Sequence, residues 1–301
     1  MEEIINMEAV GKAAFFAGVL SAFREALDEL SAPTRLLLAH EAEAAFQMEA
    51  RLENKAITHG DMECAKRYTS ALIAMRPQIE MGSPFLEKVH RQIFDHPDGY
   101  RYFPGEFRTD EVGEEFNEAI NEIVGLVRID VFTRIHLIHA AFLKLAPFRS
   151  GNNVMANALL HALFVHFDLT PSPMLPLAKF MIEDQNTTPD DFLQSVLRAE
   201  ERTQSVYHVI RIIEARYRDT IVSLETRPKK VALELLPYFM EREAFTVREI
   251  EAAYGKKFKI TYHTLNKLMT RLVEDLHLLE ITGGGERNRI FALKGYEKLF
   301  V

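Results

Sequence analysis

The stretch Ala146-Pro147-Phe148-Arg149-Ser150-Gly151-Asn152-Asn153-Val154-Met155-Ala156-Asn157, "APFRSGNNVMAN", decides the fold. A proline closes one apolar helix, a polar turn follows, and a second apolar helix begins. Gly151 permits close backbone approach, and Asn152 and Asn153 tolerate left-handed turns. Such a turn at a helix N-terminus offers unpaired amides and partial positive charge, the requirements of an anion site. Yet the stretch holds no acid and no histidine, and Arg149 is its only charge.

Working outward, most of the chain has apolar residues at helical spacing. Helices are expected at 11–31, 34–55, 61–76 and 84–94, then at 114–128, 130–146 and 154–169. Pro171, Pro173 and Pro176 break the pattern, and two further helices are expected at Thr188–Arg202 and Ser205–Leu224. Between the fourth and fifth helices, "DHPDGYRYFPGEFRTDEVG" is rich in Gly, Pro and aromatics and predicts a short hairpin or irregular loop. After Pro228 the order becomes helix, helix, helix and two short strands around a glycine turn, the order of a winged helix-turn-helix. Thr246 and Thr261 are placed to cap its second and third helices, and Gly255 to stop the second. The domains expected are a helical region at 1–80, a helical core at 81–227 and the winged helix at 228–301. The fold class is mainly α.

The 301 residues are enough for a sizeable core and carry a net charge of −8, which excludes a general polyanion binder. From Pro228 onward there are 13 basic and 10 acidic residues, a net of +3 that leaves −11 for the remainder. That asymmetry points to a tail with a different partner. The lone Cys64 excludes an internal disulfide, no apolar run is long enough to span a membrane, and a cytoplasmic location is expected.

The wider stretch "HAAFLKLAPFRSGNNVMANALL" resembles the signature of the Fic/Doc family: His-Pro-Phe, any residue, an acid, Gly-Asn-Gly-Arg, two residues, then Arg. "VHRQIFDHPDGYRYFPGEFRTDEVG" is similar to the segment before that motif, and Tyr102–Arg108 corresponds to the family's target-docking flap. "EAEAAFQMEA" lies where many members carry an inhibitory helix. The resemblance spans Leu37 to Leu224. It implies a helical core with a small hairpin flap and transfer of AMP from ATP to protein hydroxyls. The motif His would act as general base, the acid would hold Mg²⁺, backbone amides would cradle the phosphates and two arginines would neutralise them.

Against that pattern, Ala146 stands at the base position, Ser150 at the acid, Asn153 at the second Gly, and Val154 and Asn157 at the arginines. Pro147, Phe148, Gly151 and Asn152 are kept. Phe148, Arg149, Gly151, Asn152 and Asn153 form the candidate phosphate turn, with Arg149 beside it to pair with a phosphate. Glu49 keeps the inhibitory position, although Ala45 and Ala50 replace its usual neighbours and Asn157 gives it no arginine to meet. Glu49 is alternatively a carboxylate on a helix surface. His136, His139, His161 and His166 read as packing histidines. No cofactor is expected, and bound ATP with Mg²⁺ is the alternative.

In the tail, the third helix is the candidate for the DNA major groove. Tyr262, His263, Asn266, Lys267 and Arg271 are its candidate contacts, with Arg287 and Arg289 on the wing. Lys256, Lys257 and Lys259 extend the basic stripe. The expectation is a catalytically degenerate Fic-like regulator that binds DNA as a homodimer. The alternatives are residual AMP transfer and a protein scaffold that uses the flap Tyr102–Arg108 to pair with a partner strand.

Overall fold

The computed structural model describes residues 32–74, 82–97, 101–126, 128–170, 175–183, 188–285 and 288–299. The helix expected at 11–31, together with Pro171, Pro173 and Arg287, lies outside them. The described residues are mainly α-helical with one small antiparallel sheet. No helix among them is long and apolar enough to cross a membrane. They divide into two compact units, one holding Leu37–Thr203 and the other 204–299 with 32–36.

The first unit holds most of α1 (Ala32–Leu52), then α2 (His59–Ala74), α3 (Ser83–Phe94), α4 (Asp110–Val124), α5 (Val131–Leu145), α6 (Asn152–His166) and α7 (Leu177–Glu183), and the beginning of the long helix α8 (Pro189–Thr220). Helix α6 is central, packing on α2, α3 and α5. Every residue from Val154 to Phe164 is buried, which explains a sequence apolar on all sides. Asp130 caps α5 by accepting from the amides of Phe132 and Thr133, both at 3.0 Å. Helix α5 ends at Ala146 in left-handed geometry, φ 42°. The segment 101–109 takes the irregular of its two expected forms: turns, with a single bridge from Phe107 to Phe148.

The two helices expected at 188–224 are one, α8 (Pro189–Thr220), followed by a 3-10 turn at Ile221–Ser223. No Gly or Pro interrupts 190–220, so nothing in the sequence breaks it. Helix α9 (Thr226–Met240) carries Pro228 in its first turn, where the missing N–H costs nothing. Strand β1 (Phe245–Thr246), α10 (Val247–Phe258), α11 (Tyr262–Glu274), β2 (Leu279–Gly283) and β3 (Ile290–Leu293) complete the second unit. The sheet order is β1-β3-β2, both pairs antiparallel, with Phe291 opposite Phe245 on one side and Ile281 on the other. Phe239 and Phe245 stack at 4.5 Å under that sheet, and the Tyr296 hydroxyl donates to the Met240 carbonyl at 2.6 Å.

Thr246 caps α10 as expected, in a full capping box with Glu249. Two expected details differ. Helix α10 runs through Gly255 to Phe258 and stops at Lys259, which takes the left-handed conformation at φ 52°. Thr261 holds the N-cap position of α11 but makes no cap bond through its side chain. Instead Glu251 accepts from the Tyr262 amide at 2.7 Å. A carboxylate on the preceding helix therefore takes the capping role that the sequence assigns to the threonine.

Candidate functional site

The turn between α5 and α6 is held by its own residues. Asn152 clamps it from both ends, accepting from the Phe148 amide at 2.9 Å and donating to the Phe148 carbonyl at 2.8 Å. Gly151 sits at φ 73°, and a Cβ there would lie 2.5 Å from Cζ of buried Phe94. Both the dihedral and the space therefore demand glycine.

The segment 102–108 is bonded to this turn along its length. The Arg108 amide donates to the Pro147 carbonyl at 2.8 Å, and the Arg149 amide to the Glu106 carbonyl at 3.1 Å. Phe107 stacks on Phe148 at 4.7 Å. Ser150 Oγ accepts from the Phe103 amide at 3.0 Å. Arg149 pairs with Glu106 at 2.7 Å and lies 4.5 Å over the Phe103 ring. That ion pair is half exposed, so it holds Arg149 weakly. The far end is fixed by Asp61, which is buried and accepts from both Tyr102 and Arg101 at 2.8 Å.

His90, which the sequence did not single out, joins the two segments. Its Nδ1 accepts from the Gly105 amide at 2.9 Å, so its Nε2 carries the proton and donates to the Ser150 carbonyl at 2.9 Å. It stacks on Phe148 at 4.1 Å and is fully buried. Burial lowers its pKa to about 4, although the bond to Ser150 works in the opposite direction.

Glu49 closes the turn from behind. Its side chain is buried, and Oε2 accepts from the Asn153 amide at 3.0 Å. The carboxylate thus occupies the helix N-terminus where an external anion would bind. Burial raises its pKa, and the bonds at Asn153 and Val154 oppose that shift. Of the two readings of Glu49, the exposed carboxylate is excluded. Glu41, two turns earlier on α1 and also unremarked in the sequence, is its counterpart. It accepts from the Ala178 amide of α7 at 2.9 Å and pairs with His161 at 3.1 Å, all buried. The signal was present in the burial stripe Glu41, Ala42, Ala45, Phe46, Glu49, Ala50, which places both acids on the apolar side of α1.

No family model matches this sequence, and no curated protein matches it. Among solved structures, a Fic family protein from Desulfovibrio desulfuricans G20 aligns over 98% of this chain and 97% of that chain, with TM-score 0.52 and 12% identity. The fold is a Fic fold. A Fic protein from C. elegans aligns over 67% of this chain and 71% of that chain, with TM-score 0.47 and 17% identity.

Within the Fic fold, the expected motif positions come together at the α5–α6 turn. Ala146 offers no proton acceptor. Val154 and Asn157 point inward and are fully buried. Asn157 donates to the Asn153 carbonyl at 3.0 Å, and its Oδ1 has no partner. Among the described residues no group of three His, Cys, Asp or Glu is placed to hold a metal. His136 and His139 are buried, and burial lowers the His139 pKa to about 3. His166, expected to be partly buried, is exposed at the end of α6.

In the second unit, His263, Lys267 and Arg271 share the exposed side of α11, while Tyr262 and Asn266 are half-buried on its flank. Lys256 and Lys259 are exposed. Lys257 pairs with Glu234 at 3.0 Å and is partly neutralised. Arg289 is half-buried just before β3.

Proposed function

We propose that this chain is a DNA-binding regulator with a Fic-fold body that transfers no AMP. The observation that carries the reading is the closed turn. The base, acid and arginine side chains that the resemblance assigns to catalysis are replaced, and the Asn153 amide of the turn is taken by Glu49. A neutral serine engaged by the Phe103 amide stands where a magnesium ligand is needed, and Glu49 presents negative charge where phosphate would sit. The residues present do not fit a magnesium–nucleotide complex. Loss of a general base alone typically costs about 10²–10⁴-fold in rate.

The second unit supplies the other half of the reading. Its order of helix, strand, helix, helix and two paired strands is that of a winged helix, with α11 as the helix for the major groove. The exposed face of His263, Lys267 and Arg271, extended by Lys256 and Lys259, suits phosphates and base edges. The body then serves to dimerise, so that two α11 helices read two half-sites.

Fluorescence polarisation with a mixed-sequence duplex of about 20 base pairs tests this reading. Binding is expected to weaken steeply between about 50 and 200 mM salt. Replacing Lys267 and Arg271 together by alanine is expected to flatten the salt slope by about two contacts. Absence of binding at the lower salt contradicts the DNA half of the proposal.

A further inference from the structure

A cavity of about 330 Å³ opens between the first turn of α9 and one side of α11, entirely within the second unit. Its floor is apolar, made by Pro228 and Val231 of α9, Ile260 of the turn before α11, and Leu265 and Leu268 of α11. Val231, Leu265 and Leu268 are core residues, so the floor is fixed by packing. The rim is cationic: Arg227, Lys259, Lys267 and Arg271 surround the mouth, and no carboxylate is among the described residues that line it.

The rim charges are largely uncompensated. Among the described residues no ion pair reaches Arg227, Lys259 or Lys267, and Arg271 has only the exposed Asp275 at 3.6 Å. Lys259 is held at the mouth by its left-handed backbone at the end of α10. A bare phosphate would satisfy the rim and leave the apolar floor wet. A neutral apolar molecule would fill the floor and leave the cations unanswered. A molecule with a carboxylate head and a hydrocarbon or aryl body satisfies both. At about 30 Å³ for a water-sized group, the space holds about eleven non-hydrogen atoms, enough for the hydrocarbon or aryl body of such an acid with its carboxylate at the rim, and lies at the small end of ligand sites.

We infer that this cavity binds a small amphipathic carboxylate, a medium-chain acyl or aryl acid. Lys267 and Arg271 belong both to its rim and to the α11 face proposed for DNA. A seated carboxylate therefore competes with DNA phosphate. That consequence rests on the DNA reading, whereas binding of the acid does not.

Calorimetric titration of the full chain with sodium decanoate and sodium 2-naphthoate, with decanamide as neutral control and no DNA present, tests the inference. Saturable binding is expected for an acid, with decanamide at least about 10-fold weaker. Thr264→Trp, at the exposed mouth, is expected to abolish acid binding while circular dichroism stays unchanged. Arg227→Gln with Lys259→Gln is expected to weaken it about 10-fold. No binding of either acid, equal binding of decanoate and decanamide, or acid binding that survives Thr264→Trp overturns the inference. Because DNA is absent, its failure is separate from failure of the DNA reading.

Discussion

Acidification from about pH 7.5 to about pH 5 is expected to destabilise the fold by about 2 kcal/mol for each of His90 and His139. Burial is the main cause in both, holding the native pKa values at about 4 and about 3 against the ordinary 6.5. Between those values and 6.5 the unfolded chain binds a proton that the native chain does not. Stability is therefore full above about pH 6.5 and falls as the pH drops towards the native pKa values. His136 is shifted the same way by burial. Glu49 is shifted upward, mainly by burial, so its protonation favours the native state in acid and offsets part of the loss. For His90 the structural reason is specific: a second ring proton would face the Gly105 amide, and the link between the 102–108 segment and the turn would break. Urea unfolding across this range is expected to show the decline, and His139→Leu to flatten it. A level profile, or one unchanged in that variant, contradicts the assignment.

Gly151→Ala is expected to cost about 3 kcal/mol, from about 1 for left-handed backbone and about 2 for overpacking. Its new methyl would meet Phe94, which cannot withdraw. Phe94 is fully buried, with Phe46, His90 and Tyr102 all within 5.8 Å of its ring centre. For a unit of this size the melting temperature should fall by about 6–12 °C. Gly285→Ala, where nothing lies within 4 Å of an added Cβ, is the control and should stay within about 0.5 kcal/mol. Equal melting of the two variants would show that the turn is not fixed as described.

The helices were legible because period and caps are local. Thr246 stands where a cap must stand, and α6 is apolar all round because it is central. The turn was legible through the left-handed backbone of Gly151 and the clamp of Asn152 on Phe148, which are local, whereas the close approach of Phe94 to Gly151 is not. The contacts that close it were not, because they join distant positions: Glu49 to Asn153, Phe103 to Ser150, and Gly105 to Ser150 through His90. An isolated histidine before a loop carries no sequence mark of bridging two loops. Glu49 carried one, its place on the buried stripe of α1. Gly255 and Thr261 differ from expectation for a related reason. Each is a suitable stop or cap residue, and a neighbour, Lys259 or Glu251, performs the role.

The α5–α6 turn, closed by Glu49, Asn152 and Ser150, is expected to do no work on nucleotides. The direct measurement is calorimetric titration of the full chain with magnesium and ATP, beside incubation with ATP labelled at the α-phosphate. The predicted result is no saturable heat and no label carried to protein. Saturable nucleotide binding together with transfer of labelled AMP to a protein hydroxyl would contradict it and make this Fic-fold body a working transferase.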